Sequence, residues 1–193
     1  MTVEALPALL RRHGVAPRGV VHVGAHLGQE VPAYRAAGFA RIVLVEPHPV
    51  LAAALREMPG VEVVEGACAA EPGTGLLHVT SHDKLSSLQE PVAGRRVVAT
   101  VDVAVHRLAE LVDATVNVAV IDAQGVELEV LAGAPLDTLE VVVVETYVRR
   151  KQGGAPAHAE VVGFMARQGW VPVAQWPLDR AGRNLDVVFA RPR

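Results

Sequence analysis

Hydrophobic residues in this chain are concentrated in short runs, most of which contain several valines in succession. Such runs, which lack strict alternation with polar residues, are typical of strands covered on both faces in a parallel sheet. Glycine, proline or charged residues separate the runs from one another. Six runs predict β-strands, at residues 19–24, 41–46, 61–66, 116–122, 140–146 and 185–190.

Helical stretches fill most of the intervals between these strands. They predict helices at residues 28–38, 49–58, 125–134 and 158–169, and an amphipathic helix within residues 1–14. Alternating strands and helices indicate right-handed βαβ units, and therefore an open α/β sheet with helices on both faces.

Residues 72–103 interrupt this alternation, because they have little helical character and contain two β-like pieces. They predict an inserted hairpin or a long loop over the sheet edge. Insertions of this length often cover a ligand in compact domains, although a surface insertion without function is the alternative.

Composition and charge disfavour a membrane protein and a nucleic-acid-binding protein. The 193 residues predict a single domain spanning residues 1–193, and a net charge of −3 offers no basic surface for nucleic acid. No apolar run reaches the length of a membrane span, and a single cysteine, Cys68, fits a reducing compartment. We therefore expect a soluble cytoplasmic protein without a membrane or nucleic-acid partner, and its oligomeric state stays open.

The segment VVHVGAHLGQE contains the turn after the first predicted strand. Gly24 ends the strand, and Gly28 opens the predicted helix. A dinucleotide fingerprint has a glycine in the middle of this turn, so that a pyrophosphate can approach the backbone. This chain has His26 there, which disfavours NAD and FAD.

A nucleoside cofactor without phosphates fits the turn better, and S-adenosylmethionine is such a cofactor. Its ribose needs an acidic acceptor at the tip of the second strand, where Glu46 follows Gly24 by 22 positions. The alternative is that the glycines only form the turn and that Glu46 is a charge near a helix N-terminus.

Several motifs occur together in one order: VHVGAHLGQE, LVEPHP, KLSSL, VDVAVHRLAEL, VIDAQGVELEVLAGA and VVVVET. In this combination the sequence, from about residue 19 to the C-terminus, resembles the FkbM-type family of S-adenosylmethionine-dependent methyltransferases. The resemblance implies the class I, Rossmann-like fold with a mostly parallel seven-stranded sheet. It also implies methylation of a hydroxyl on a sugar or natural product. One departure is His22, because many members have an acidic residue at this position.

The resemblance further implies cofactor-binding roles for residues that follow the predicted strands or lie in the insertion. They are Gly24, Ala25, His26 and Gly28 at the methionine part, Glu46 with Pro47 at the ribose, Ala67 and Cys68 at the adenine, and Ser87 and Leu88 in a serine-rich loop.

Two acidic residues are candidates for the chemistry of transfer. Asp122 ends the fourth predicted strand and Glu145 the fifth, and neighbouring strands lie about 4.8 Å apart. An alcohol is a poor nucleophile at neutral pH, so either acid could serve as general base, or both could hold Mg²⁺. Asp122 would also border the cofactor. As alternatives, Asp122 could cap the next helix, and Glu145 could pair with Arg149 or Arg150.

Three further residues are candidates for the site. His26 could be a second base or a cofactor contact, and Gln124 could contact the substrate or start a helix. Tyr147 lies in the segment TYVRRKQGG, residues 146–154, which predicts either a solvated loop or a substrate-gating loop. Two other functions stay open: a nicotinamide-dependent oxidoreductase, which His26 disfavours, and a non-catalytic cofactor-binding subunit.

Overall fold

The computed structural model describes residues 5–81, 86–89, 96–148, 154–179 and 181–192. Its helices are α1 (Leu6–Arg12), α2 (Val31–Ala37), α3 (Pro49–Arg56), α4 (Leu108–Leu111), α5 (Glu127–Ala132) and α6 (His158–Arg167). Its strands are β1 (Gly19–Val23), β2 (Arg41–Glu46), β3 (Glu62–Glu65), β4 (Ala67–Cys68), β5 (Gly73–Thr80), β6 (Val97–His106), β7 (Val118–Ile121), β8 (Val141–Tyr147), β9 (Val171–Pro177) and β10 (Asn184–Ala190).

Seven strands form the main sheet, in the order β3-β2-β1-β7-β8-β10-β9. The pairs from β3 to β8 are parallel, whereas β10 runs antiparallel to both β8 and β9. The predicted open, mostly parallel sheet is therefore confirmed. The strand order reverses between β1 and β7, which is the point where open α/β sheets bind their ligands.

Helices cover both faces of this sheet, which explains the valine runs. Residues of β1, β7 and β8 are all buried. In β1, Val21 and Val23 pack in a core with α5 and α6, whereas Val20 packs in a second core with α1 and α2. Successive residues of a strand point to opposite faces, so a doubly covered strand needs apolar residues at nearly every position.

The insertion forms a separate small sheet with the strand order β4-β6-β5. Strands β5 and β6 are an antiparallel hairpin, as predicted, and β4 pairs with β6 in parallel. Backbone hydrogen bonds between His78 and Ser87 attach residues 86–89 to β5. The hairpin therefore holds this short segment in place beside the main sheet.

Some element boundaries differ from the predictions. Helix α2 begins at Val31, three residues after Gly28, and α5 begins at Glu127 rather than at Gly125. The positive φ angles of Gly28 and Gly125 place both glycines in turns before the helices. Strand β9 and the short helix α4 were not predicted.

Among the residues that the structure describes, no helix is long and apolar enough to cross a bilayer.

Candidate functional site

A cavity of about 440 Å³ opens at the carboxyl ends of β1, β2, β7 and β8. Most residues that the sequence predicted for the site contribute to its lining. These are Gly24, Ala25, His26, Glu46, Pro47, Ala67, Cys68, Ser87, Leu88, Asp122, Gln124 and Glu145. Two predicted residues, Gly28 and Tyr147, lie outside the lining.

Gly24 brings β1 and β7 together at the cavity floor. Its φ angle is +82°, and a Cβ at this position would lie 1.9 Å from the carbonyl oxygen of Asp122. Any side chain would therefore force the ends of the two strands apart. The glycine that the sequence singled out is required by this backbone contact as well as by its left-handed conformation.

Glu46 is held in a fixed orientation at one end of the cavity. Its side chain is buried, at 5% exposure, and accepts backbone hydrogen bonds from His26 N at 2.7 Å and His48 N at 2.8 Å. Burial raises the pKa of Glu46, and the two N–H donors oppose this rise. Each oxygen has lone pairs beyond the one used here, so the carboxylate can still accept hydrogen bonds from a ligand in the cavity.

His26 occupies the strained middle of the turn, with a φ angle of +50°. Its backbone donates to Glu46, and its ring Nδ1 accepts a hydrogen bond from Gln29 Nε2 at 3.0 Å. Left-handed conformations of non-glycine residues cluster at ligand sites. These contacts show a structural role for His26, and its roles as a cofactor contact and as a base stay predictions.

Gly28 has a packing role. A Cβ there would lie 2.9 Å from a methyl group of Leu55 and 3.1 Å from the sulfur of Met58. Its φ angle of +66° also favours glycine. This glycine lets the turn pack against Leu55 of α3, and its contact with the methionine part of a cofactor stays a prediction.

The wall beyond Glu46 is mainly apolar. Pro47, Leu51, Ala67, Cys68 and Leu77 line it, and burial raises the pKa of the Cys68 thiol to about 12. The thiol is therefore protonated at neutral pH and is not a nucleophile. An apolar wall next to a fixed carboxylate suits a flat base joined to a ribose.

At the other end of the cavity, Asp122 and Glu145 form a hydrogen-bonded network. The Nε2 of Gln124 lies 2.5 Å from Asp122 Oδ1 and 2.9 Å from Glu145 Oε2, so one amide bridges the two acids. Tyr147 Oη donates to Glu145 Oε2 at 3.0 Å, and Asn184 Nδ2 donates to Glu145 Oε1 at 3.3 Å. Glu145 thus has three neutral donors around it.

The pKa of Asp122 is raised well above its ordinary value, first by its removal from bulk water and second by the neighbouring charge of Glu145. Two carboxyls this close cannot both ionise without repulsion, so the neutral form of Asp122 is favoured.

The structure decides against two of the predictions for these residues, and the predicted pairing of Glu145 with Arg149 or Arg150 lies outside the described residues. Asp122 is not the N-cap of α5, because that position is Val126. Tyr147 belongs to β8 rather than to a loop, and its ring is buried behind Glu145. Burial raises the pKa of Tyr147, so its hydroxyl remains a donor. Arg149, Arg150 and most of the predicted gating loop, at residues 149–153, lie outside the described residues.

The predicted Mg²⁺ site does not fit this geometry. In the described part of the chain, no group of three or more His, Cys, Asp or Glu side chains is arranged to hold a metal. The oxygens of Asp122 and Glu145 also face the bridging amide of Gln124, a donor that competes with a cation. We therefore assign no step to a metal.

Several lining residues were missed by the sequence analysis. Asn184 comes from β10, which lies beside β8 although the two are about 40 positions apart in sequence. His22 faces the cavity from β1, is 3% exposed, and is hydrogen-bonded through Nδ1 to the hydroxyl of Tyr34 at 3.1 Å. Burial lowers the pKa of His22 to about 3, so the ring is neutral. Glu30 Oε2 lies 3.9 Å from His22 Nδ1 and also lines the cavity.

Several methyltransferases are among the solved structures with a similar architecture. An FkbM methyltransferase from Methylobacillus flagellatus superposes with a TM-score of 0.63 at 11% identity, covering 90% of this chain and 44% of that one. A candidate RNA methyltransferase from Pyrococcus horikoshii gives 0.58 at 13% identity, covering 99% and 83%. Magnesium protoporphyrin IX methyltransferase from Synechocystis, with bound S-adenosylmethionine, gives 0.54 at 10% identity, covering 99% and 78%.

These likenesses confirm the class I methyltransferase fold and, at such identities, the fold alone. This chain spans less than half of the M. flagellatus protein. A search of curated proteins finds no significant match. The family is shown by sequence instead, because the model of the methyltransferase FkbM domain matches residues 22–171. This match decides against the nicotinamide-dependent alternative. The chain belongs to the FkbM family of S-adenosylmethionine-dependent methyltransferases.

Proposed function

We propose that the protein transfers a methyl group from S-adenosylmethionine to a hydroxyl of a small molecule, a sugar or a natural product. One observation carries the proposal: a single cavity has a fixed carboxylate, Glu46, at one end and a hydrogen-bonded acid pair, Asp122 and Glu145, at the other. A nucleoside cofactor needs a carboxylate such as Glu46 to accept its ribose hydroxyls. Removal of a hydroxyl proton from the acceptor needs a base, which the acid pair can supply.

The residues around Glu46 fit the nucleoside part of the cofactor. Two backbone donors fix the carboxylate before any ligand arrives, so little ordering is required when it accepts ribose hydroxyls. Pro47 and Leu51 provide apolar surface beside it for the adenine. When bound, S-adenosylmethionine supplies a methyl group already activated on a sulfonium.

The acid pair would handle the proton of the acceptor. Glu145 is the candidate base, because the raised pKa of Asp122 favours its neutral form. The donors Gln124, Tyr147 and Asn184 also fix the orientation of the Glu145 carboxylate. A base held beside the reacting hydroxyl contributes typically about 10²–10⁴-fold to the rate. Positioning of the two reactants contributes further, since alignment converts a bimolecular encounter into a unimolecular step.

The charge of the lining supports a neutral or cationic acceptor over a polyanion. The described residues of the cavity lining include four acids and neither lysine nor arginine. The acids are Glu30, Glu46, Asp122 and Glu145. Nucleic-acid binding depends on lysine and arginine contacts to phosphates. Although some proteins of this fold act on RNA, we propose a small molecule as the acceptor here.

The proposal is tested by methyl transfer from radiolabelled S-adenosylmethionine to a panel of sugars and polyhydroxylated natural products, with a transfer RNA as a further acceptor. We expect a methyl ether on a small molecule and no label on RNA. Transfer should persist in EDTA, because no step requires a metal. Labelled RNA, or transfer only to nitrogen, would contradict the proposed acceptor class.

A non-catalytic cofactor-binding subunit is the remaining alternative, and calorimetry separates it from an enzyme. A catalytic protein should bind S-adenosylhomocysteine and turn over. A binding subunit would bind the same ligand but show no transfer to any acceptor in the panel.

A further inference from the structure

The inserted segment 86–89 makes an unexpected set of contacts. The family resemblance places Ser87 beside the cofactor, and in the structure its hydroxyl donates to the backbone carbonyl of Gln124, at 2.8 Å. The amide of Gln89 donates in the same way to the carbonyl of Gly125, at 2.7 Å. Two consecutive carbonyls of the turn after β7 are therefore held by one short segment.

The turn held in this way is strained and tightly fitted. Gln124 has a φ angle of +52°, which is unfavourable for a residue with a side chain. Gly125 has a φ angle of +120°, and a Cβ there would lie 2.8 Å from Gln89 Oε1. Strained conformations persist only where surrounding contacts over-determine them, and Ser87 and Gln89 supply such contacts.

The strained residue is the one that bridges the two acids. From this backbone conformation Gln124 places its Nε2 2.5 Å from Asp122 Oδ1 and 2.9 Å from Glu145 Oε2. The segment is in turn fixed to β5 by Ser87, whose backbone pairs with that of His78, and internally by Gln89 N, which donates to Ser87 Oγ at 3.0 Å. A continuous chain of hydrogen bonds therefore links the inserted hairpin to the acid pair.

We propose that Ser87 and Gln89 are positioning residues, which hold the Gln124 turn so that its amide keeps Asp122 and Glu145 in their working orientation. The inference rests on the proposed role of the acid pair. It gives the insertion a function in the chemistry rather than only in covering the cofactor. Neither residue needs to touch a substrate for this role.

The test measures the acid pair directly and needs neither methyl donor nor acceptor. The carboxyl of Asp122 is titrated by ¹³C NMR in the wild type, Ser87→Ala, Ser87→Thr and Gln124→Ala, and in the double variant S87A/Q124A. Ser87→Ala should move the titration midpoint of Asp122 by about half a pH unit or more. It should also speed amide exchange in residues 123–126 by about tenfold, the equivalent of one lost hydrogen bond. Ser87→Thr, which retains the hydroxyl, should restore both.

The double variant distinguishes positioning through Gln124 from a general loss of stability. If Ser87 acts through this amide, Ser87→Ala causes no further titration change once Gln124 is alanine. If Ser87→Ala shifts the Asp122 titration midpoint equally in the wild type and in Gln124→Ala, or shifts it in neither, the inference is overturned. So would a Ser87→Ala protein with weakened S-adenosylhomocysteine binding and unaltered Asp122 titration, because Ser87 would then act on the cofactor.

Two controls keep this test separate from the proposed function. Ser86→Ala removes a different hydroxyl from the same segment. The Ser86 hydroxyl accepts a hydrogen bond from Thr80 N at 3.3 Å, so its loss should leave the Asp122 titration unchanged. Wild-type binding and transfer are measured independently, so absence of methyl transfer would contradict the proposed function without altering the titration result.

Discussion

The two ends of the cavity use the same functional group in opposite ways. Glu46 is a lone carboxylate that accepts two backbone N–H bonds, whereas Asp122 and Glu145 are a pair bridged by an amide. Burial raises the pKa of Glu46 and of Asp122, but backbone donors oppose the rise at Glu46 and a second carboxyl adds to it at Asp122. The surroundings therefore act differently on the two carboxyls: backbone donors favour the charged form of Glu46, and a second carboxyl favours the neutral form of Asp122.

The backbone explains this difference in part. Glu46 ends β2 beside the turn after β1, whose exposed N–H groups need acceptors. Asp122 and Glu145 lie near the ends of the adjacent parallel strands β7 and β8, and their carboxyl oxygens accept hydrogen bonds from side chains. The strand ends therefore hold a lone carboxylate at β2 and two neighbouring carboxyls at β7 and β8.

Loss of the base should produce the largest effect. We expect Glu145→Gln to lower kcat for methyl transfer about 10²–10⁴-fold, because the amide cannot accept the hydroxyl proton. Binding of S-adenosylhomocysteine should change less than about threefold. Steady-state kinetics and calorimetry measure the two values, and the exposed Glu129→Gln on α5 is the control. A similar loss in affinity and in kcat would show that the two ends are not separate.

Substitution of Gly24 should damage both ends together. Gly24→Ala places a Cβ against the carbonyl of Asp122 and keeps a strained φ angle, so we expect a loss of about 3 kcal/mol or more in the free energy of unfolding. Gly60→Ala is the matched control, since Gly60 also has a positive φ, +72°, but has open space around its Cα. Urea denaturation should give the control a loss of only about 1 kcal/mol. Equal losses would mean that contact with β7 is unimportant.

Removal of the charge of Glu46, at what we call the nucleoside end of the cavity, should affect cofactor binding alone. Glu46→Gln should weaken S-adenosylhomocysteine binding about 10–100-fold, because hydrogen bonds to a charged group contribute about 1.5–3 kcal/mol. Glu65→Gln is the control, because Glu65 is the β3 neighbour of Glu46 in register and pairs with Arg56 at the surface. Calorimetry should show unchanged affinity for the control. If both variants bind normally, Glu46 does not contact the ribose.

The smallest effect concerns stability and pH. The pKa of Asp122 is higher in the folded than in the unfolded state, so the folded protein keeps a proton that the unfolded chain releases as pH rises. Stability from this group is therefore complete below the ordinary pKa of about 3.9 and is lost as pH rises towards the folded pKa.

Asp122→Asn cannot undergo this loss, so it should stabilise the protein more at pH 8 than at pH 5, by about 1–2 kcal/mol at pH 8. Urea denaturation at both pH values measures the difference. Asp102→Asn, an exposed change on β6, should alter stability by less than about 0.5 kcal/mol. A stabilisation that shrinks with rising pH would contradict the raised pKa of Asp122.

Much of the sheet and the nucleoside end could be predicted, because local sequence determines them. Valine runs mark doubly covered strands, and a glycine turn followed at a fixed distance by an acid places Glu46 at the tip of β2. Strand β9 escaped prediction because it lies at the sheet edge, where Gln175 and Trp176 interrupt the apolar pattern.

The acceptor end was predicted only in part, because it is assembled from distant segments. Asp122 and Glu145 could be found as strand-end acids, but their network depends on Asn184 from β10 and on the φ angle of Gln124. No local pattern predicts either. Tyr147 was placed in a loop because of the charges that follow it, whereas its pairing with β10 keeps it in the strand.

The most direct test of the central claim is a crystal structure of the protein with S-adenosylhomocysteine. We predict that the ribose hydroxyls contact the carboxylate of Glu46 and that the sulfur faces Asp122 and Glu145 across the cavity. A nucleoside bound with its ribose away from Glu46, or with the sulfur directed away from the acid pair, would contradict the account.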